Sequence, residues 1–356
     1  DMAQVPSWRP DVQGEADLVE EVARIASLTK LQGRPLPRLT PGVPKPVLSA
    51  MQRREAIARR TCAALGYNEC VSYSFIDKPS AALFGGGTDD TRLENPISAD
   101  MSHMRPSLLP ALLQAAARNQ ARGFADMALF EVGPVFTGGE PGEQHLQVSG
   151  VLVGRTGPKD VHGASRPIDL FDVKADIEAI LASIGAPAKV QINRKGDEWW
   201  HPGRHGQICL GPKMVLAVFG EIHPRVLSAL DVKGPAVGFT LWPANVPLPR
   251  KVGATRPALN VSALQAVERD FAFVVDAEVD ALTLVNAAMG ADKALIDDVR
   301  VFDEFIGGAL GEGKKSLALS IRMQPNEKTL KDADIEAVSN KVIEKVTKAT
   351  GGVLRG

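Results

Sequence analysis

Asp11, Asp17, Glu20 and Glu21 form the sharpest chemical constellation in this sequence. The last three fall at i, i+3 and i+4, so a helix through them gathers three like charges on one face, where they repel. Carboxylate clusters of this kind hold hard cations such as magnesium, which takes oxygen ligands and keeps part of its water. The same residues also read as a solvated acidic first turn favoured by the helix dipole. Spacing alone leaves both readings open, the second being the commoner.

A second constellation is His201-Pro202-Gly203-Arg204-His205-Gly206, preceded by Trp199-Trp200. Two imidazoles and a guanidinium suit a base and an anion clamp. No nucleophile or third zinc ligand stands nearby, and a Pro-Gly turn does not give helical metal spacing. A structural turn entering a strand is the better reading. Arg118, Asn119 and Arg122 make a polar stripe after Arg105-Pro106-Ser107-Leu108-Leu109-Pro110, fit equally for phosphate, a partner or plain surface. Gly85-Gly86-Gly87 lacks the following Gly-Lys-Ser/Thr of a phosphate loop, so no ATP loop is expected there.

The elements that must position these groups follow from periodicity. Asp17 to Leu31 carries Leu18, Val22 and Ile25 at helical spacing. Val47 to Leu65 is an amphipathic helix rich in Arg53, Arg54, Arg59 and Arg60, ended by Gly66. Cys70 to Phe75 alternates like a strand. Helices are expected at Pro106–Arg122 and Phe171–Ile184. Strands are expected at Ala128–Gly133, at Gln147–Val153, and as a hairpin of Gln207–Leu210 with Val215–Glu221. Short strands with helices between tight turns imply an α+β fold, a mostly antiparallel sheet with helices packed on it. Proline-rich stretches at 34–46 and 242–257 read as linkers.

The last hundred residues give the clearest pattern. Strand 269–275, helix 279–289, strand 294–305, strand 315–323, helix 332–349 and strand 352–354 make a ferredoxin-like βαββαβ unit. Arg269, Lys314, Lys315, Arg322, Lys328 and Lys331 lie on or beside its strands and are expected to collect on the sheet face away from the helices. Sheets of this kind bind RNA by stacking bases on aromatics and pairing cations with phosphates, with Phe302 and Phe305 as the candidate stackers. An acylphosphatase-like hydrolase needs an anion cradle after the first of these strands, and Asp276-Ala277-Glu278 would repel its substrate.

Composition bounds the rest. At 356 residues the chain holds two or three domains, and its net charge of −1 gives no general pull toward nucleic acid. Residues 257–356 carry 12 Lys and Arg against 16 Asp and Glu, a net of −4, so RNA contact there must rest on a local patch. No apolar run approaches the roughly 18 residues of a membrane span. Cys62, Cys70 and Cys209 lack metal spacing and read as packing residues in a reducing cytoplasm. The chain opens on Asp1 without an export signal and is expected to be a fragment.

In order along the chain stand Asp17-Leu18-Val19-Glu20-Glu21-Val22-Ala23-Arg24, Gly66-Tyr67-Asn68-Glu69 with Ser72-Tyr73-Ser74-Phe75, and Asn95-Pro96-Ile97-Ser98. Met104 to Pro110, Phe130-Glu131-Val132-Gly133, Phe171-Asp172-Val173-Lys174, His201-Pro202-Gly203-Arg204 and Glu268-Arg269-Asp270 follow. Each is weak alone, but the ordered set resembles the β subunit of bacterial phenylalanyl-tRNA synthetase from end to end. The usual Phe-Pro before the Arg-Asp pair is replaced by Ala263-Leu264-Gln265-Ala266.

The resemblance implies that residues 1–38 are the C-terminal end of a winged DNA-binding-like domain and that 41–247 form an inactive class II synthetase catalytic-like domain. Residues 256–356 would be a ferredoxin-fold anticodon-binding domain. It further implies a magnesium ion shared with the α subunit at Asp11, Asp17, Glu20 and Glu21. ATP would be used by the α subunit of a cytoplasmic (αβ)2 heterotetramer, and tRNA(Phe) would be bound by Arg269, Lys314, Lys315, Arg322 and Lys328. No catalytic residue is expected in this chain, nor are the family's N-terminal tRNA-binding and editing domains. The alternative is a free-standing RNA-binding or structural protein reusing these folds.

Overall fold

Capping chemistry sets the helices of the larger unit. The computed structural model describes residues 2–37, 47–158, 161, 163, 165–248, 258–259 and 261–355, and divides the chain at residues 251 and 252. In the N-terminal segment α1 (Glu15–Ala26) buries none of its residues, and Val19, Val22 and Ile25 stay exposed. Next come α2 (Ala50–Ala64), β1 (Asn68–Glu69), β2 (Phe75–Ile76), α3 (Lys78–Ala82), β3 (His103–Met104), α4 (Leu109–Gln120), β4 (Met127–Phe136) and β5 (Gln144–Val153). The larger unit closes with α5 (Leu170–Ser183), β6 (Gln191–Asn193), β7 (Trp200–Leu210), β8 (Met214–Ile222), α6 (Pro224–Ala229) and β9 (Ala236–Leu241).

Ser49 caps α2 by accepting from the Gln52 backbone N–H at 3.2 Å, while Gln52 Oε1 accepts from the Ser49 N–H at 2.8 Å. Asp169 does the same for α5, accepting from the N–H of Phe171 at 2.8 Å. Seven strands form one sheet in the order β1-β4-β5-β9-β8-β7-β6, antiparallel throughout except for the β1–β4 pair. One face packs on α2 and α5 through Ala58, Cys62, Phe130, Ile177 and Phe239, the other on α4 and α6 through Leu112, Leu113, Val151, Val218 and Val226. The expected α+β sheet with helices on it is therefore present. Gly66 follows α2 at φ 95°, a left-handed conformation that glycine adopts without a Cβ penalty.

Two expectations are corrected. Alternation through Cys70–Phe75 predicts one strand, yet only Asn68–Glu69 and Phe75–Ile76 pair. The Ser72 backbone N–H and hydroxyl both donate to the Glu131 carboxylate instead, at 3.3 and 2.6 Å. Likewise, the start of the 242–257 stretch is not a linker. The buried Arg54 guanidinium of α2 donates to the carbonyls of Pro243, Val246 and Pro247 at 3.1, 2.5 and 2.7 Å, fastening 243–247 to the domain. Residues 38–46, 249–257 and 260, with the expected boundaries at 38, 41 and 256, lie outside the described residues.

Tyr67 stands edge-on to Phe130 and Phe239, centroids 6.5 and 6.0 Å away, and donates its hydroxyl to Asp176 at 2.7 Å. Burial raises the pKa of the Asp176 carboxyl, and the Tyr67 bond only partly opposes it. The native state then binds more protons than the unfolded chain, so this group's contribution to stability falls as the pH rises past the ordinary aspartate range. Asp176→Asn keeps an acceptor for Tyr67 and is expected to flatten that fall. Urea midpoints at about pH 4 and about pH 7 check it; the same pH slope in both proteins would rule it out.

In the smaller unit β10 (Val267–Asp276), α7 (Ala281–Met289), β11 (Ile296–Phe305), β12 (Lys314–Met323), α8 (Asp332–Thr350) and β13 (Val353–Leu354) follow the predicted βαββαβ order, with the sheet running β11-β12-β10-β13. Phe271, Phe273, Val275, Leu317, Leu319 and Ile321 face Leu284, Val338, Val342 and Val346 of the helices. No described helix is long and apolar enough to cross a membrane.

Candidate functional site

Strand parity decides which side chains share the open face of the four-stranded sheet. The register pairs Glu268 with Arg322, Asp270 with Ser320, Ala272 with Ala318, Val274 with Ser316 and Asp276 with Lys314, all opposite in parity to the helix-facing core. From β11, Arg300 stands across from Ser320 and Phe305 from Ser316. Small residues thus floor the centre of the face, with Phe302 and Phe305 exposed along one edge. Glu268, Asp270, Asp298, Arg300, Phe302 and Arg322 border a cleft of about 290 Å³. The Arg355 guanidinium sits 5.8 Å from the Phe305 ring centroid. A Cβ on Gly307 would come within 2.9 Å of that ring, so the glycine is what admits it.

The five expected RNA-contacting cations do not all gather there. Lys314 and Arg322 are on the open face. Lys315 and Arg269 have the other parity, beside Val275 and Ile321. Lys315 is 8% exposed and ion-paired with Glu304 at 3.4 Å. Lys328 lies in the loop before α8, lining a separate cleft of about 320 Å³. Adjacent lysines on a strand must point to opposite faces, so the 314/315 division was readable from the two-residue period. The open-face cations are paired with carboxylates: Lys314 with Asp276 at 2.6 Å, Arg300 with Asp298 at 2.6 Å, and Arg322 with Asp297.

At the N-terminus, Asp11 and Glu21 converge on one guanidinium: Arg9 Nη2 donates to Asp11 Oδ2 at 2.7 Å and to Glu21 Oε1 at 2.6 Å. Arg24 takes the other Glu21 oxygen at 2.7 Å. The two arginines hold the Glu21 carboxyl down to about 2, and Arg9 lowers Asp11. Asp17 instead accepts from the backbone N–H groups of Gln13 and Gly14 at 2.9 and 2.8 Å, the turn that starts α1. Among the described residues no group of three carboxylate, histidine or cysteine side chains is placed to hold a metal, so the four acids do not by themselves fit a magnesium cage. Arg9, two residues before Asp11, is the participant that a search for acids alone passes over.

The His201–Gly206 motif lies within β7 rather than in a turn before it, where the register with β8 shifts between Trp200 and His205. Arg204 is held by Glu221 through bonds of 2.5 and 2.9 Å. His201 Nδ1 accepts the Gly203 N–H at 3.1 Å, and His205 Nδ1 donates to the His201 carbonyl at 2.7 Å. Arg204 and His201 are thus engaged structurally.

A family model described as the phenylalanyl tRNA synthetase beta chain CLM domain matches residues 36–242, more than half of the chain. The chain belongs to the phenylalanyl tRNA synthetase beta chain family. Models of a tRNA synthetase B5 domain and a ferredoxin-fold anticodon binding domain match residues 2–27 and 262–355. A phenylalanine–tRNA ligase beta subunit from Ruegeria pomeroyi is 78% identical over 355 residues, which are 100% of this chain and 44% of that protein. One from Cereibacter sphaeroides is 67% identical over 360 residues, 100% of this chain and 45% of its own. The chain therefore spans less than half the length of these synthetase β-chain relatives. A pyrrolysyl tRNA synthetase structure from Desulfitobacterium hafniense aligns at 14% identity, 54% and 66% coverage and a TM-score of 0.42, too distant to carry argument. All four strands of the open sheet face fall inside the segment that matches the anticodon binding domain.

Proposed function

We propose that this chain is the C-terminal portion of a phenylalanine–tRNA ligase β subunit that binds tRNA(Phe) and a catalytic α subunit. The α subunit, using ATP, would carry out the attachment of phenylalanine in a cytoplasmic (αβ)2 assembly. One observation carries the reading: an open sheet face with two exposed aromatics beside arginines, inside the segment that resembles an anticodon-binding domain. Stacking supplies affinity for splayed bases without a general positive field, which a domain of net charge −4 does not have. Residues 1–38 are then the end of a winged domain, 41–247 an inactive class II-like domain and 256–356 the anticodon-binding domain. The seven-stranded, almost wholly antiparallel sheet flanked by helices is in keeping with the middle assignment.

Magnesium at Asp11, Asp17, Glu20 and Glu21 belongs to the same reading only with oxygen ligands from the partner, since Arg9 and Arg24 already neutralise two of the four acids. Glu20→Ala combined with Glu21→Ala in the complete β subunit is expected to loosen association with α in a magnesium-dependent way, read by size-exclusion chromatography. Loosening that is the same with and without magnesium leaves an acidic surface and no metal. The reading as a whole is tested by titrating a tRNA(Phe) anticodon stem-loop into the αβ complex at several salt concentrations; no protection of the 267–355 sheet on binding would overturn it.

A further inference from the structure

Between β6 and β7 the loop Arg194-Lys195-Gly196-Asp197-Glu198 leads into Trp199 and Trp200. It borders a cleft of about 620 Å³ whose walls also carry His205, His223 and Arg225. A second cleft of about 560 Å³ adjoins it, sharing the Gly196–Glu198 wall and Arg225, and its remaining wall is apolar, with Pro79, Leu83 and Trp199. The half-buried Trp199 ring leans on Phe84 with centroids 5.6 Å apart, which fixes the indole at that wall.

His223, Lys195 and Arg225 supply donors to the first cleft. His223 Nδ1 accepts the Arg225 backbone N–H at 3.0 Å, which puts the imidazole proton on Nε2. His205 spends its Nδ1–H on the His201 carbonyl, which leaves Nε2 of that tautomer as an acceptor. The Lys195 ammonium has no partner among the described residues. Among the described residues the Arg225 guanidinium is ion-paired with Glu198, at 3.9 Å, and that carboxylate side chain is 94% exposed at the rim. Asp197 opposes them from beside His205. Leaving the imidazoles out of the count, Arg194, Lys195 and Arg225 against Asp197 and Glu198 leave the lining at net +1.

A cationic cleft and an aromatic cleft sharing one wall suit a ligand with an anionic end and a planar apolar end. We propose that the two clefts together bind a nucleotide, its phosphate among Lys195, Arg225 and the His223 Nε2–H, its base against Trp199 and Leu83. Guanidinium and ammonium groups take phosphate oxygens in charge-assisted hydrogen bonds. An indole stacks any base, because every base has a π face. A free mononucleotide and a nucleotide carried by RNA present this same chemistry. The site belongs to the larger unit and the sheet face assigned to tRNA to the smaller one, and the proposal does not depend on that assignment.

The probe is azido-adenosine monophosphate applied to the complete β subunit in complex with α, with labelled peptides located by mass spectrometry so that any nucleotide site on α is read separately. Labelling is expected near Leu83 and Trp199, competed by AMP and by a phosphorylated RNA dinucleotide but not by adenosine. In Lys195→Glu combined with Arg225→Glu it should fall roughly tenfold or more. Both side chains are exposed, and Lys195→Gln, which removes charge without reversing it, should show a smaller loss at unchanged circular dichroism. Competition by the dinucleotide at lower concentration than AMP assigns the site to RNA, and the reverse order assigns it to a free nucleotide. Three results overturn the proposal: no label in these peptides at millimolar probe, adenosine competing as well as AMP, or undiminished labelling in the double variant.

Discussion

Arg105→Met is expected to destabilise the larger unit by about 3–5 kcal/mol, because it strands a carboxylate that has almost no water around it. Glu131 is 4% exposed and Arg105 2%. Arg105 Nη1 donates to Glu131 Oε1 at 2.7 Å, its Nε to the Pro134 carbonyl at 2.9 Å, and the Ser72 hydroxyl donates to Glu131 Oε2 at 2.6 Å. The ion pair and the Ser72 hydroxyl together tie the stretch between β1 and β2, the residue after β3 and strand β4. With Ser72 turned in, its neighbours Val71 and Tyr73 are turned out and exposed. Replacing both partners, Arg105→Met with Glu131→Leu, should cost less than the sum of the single changes, since no charge is left unpaired. Gly133→Ala should act in the same direction as Arg105→Met, because its new Cβ would lie 2.8 Å from Arg105 Nη2. Urea denaturation of the four proteins in the cycle checks this. A cost below about 1 kcal/mol for Arg105→Met would mean that the pair behaves like an exposed one.

Where pattern and period alone set the structure, the sequence was enough. The βαββαβ order of the smaller unit was legible because its strands keep a two-residue period and its helices a 3.6-residue one. So were α2, α4 and α5, whose ends are marked by Ser49, Pro110 and Asp169. What escaped was decided by long-range partners. The alternation of Cys70–Phe75 is genuine, but Glu131, 59 residues from Ser72, claims the donors that a ladder would use. The prolines after Trp242 look like a linker until Arg54, 189 residues away from Pro243, is seen to bond their carbonyls. At the acidic cluster the like-charge spacing was visible, whereas the competing cation, Arg9, reaches Glu21 only once residues 9–14 turn back over α1.

Phe302→Ala and Phe305→Ala are each expected to weaken binding of the anticodon stem-loop by between about fivefold and a hundredfold, since stacking of one base on an aromatic ring contributes about 1–3 kcal/mol. Neither ring belongs to the buried core, so thermal stability should hardly change. Arg322→Glu also weakens binding, but by another route. It removes a cation from the open face and leaves Asp297 and Glu268 facing a new carboxylate, so the slope of log affinity against log salt should flatten by about 0.7 for each phosphate that is no longer neutralised. Lys315→Glu must behave differently if parity is right. Its side chain lies on the helix-facing side against Glu304, and reversing its charge should lower the melting temperature before it touches RNA affinity. Four variants measured for both stability and stem-loop affinity therefore separate the two sides of one sheet. Full affinity in both alanine variants would remove the sheet face from the binding surface, and an RNA defect in Lys315→Glu at unchanged stability would reverse the assignment of its two sides.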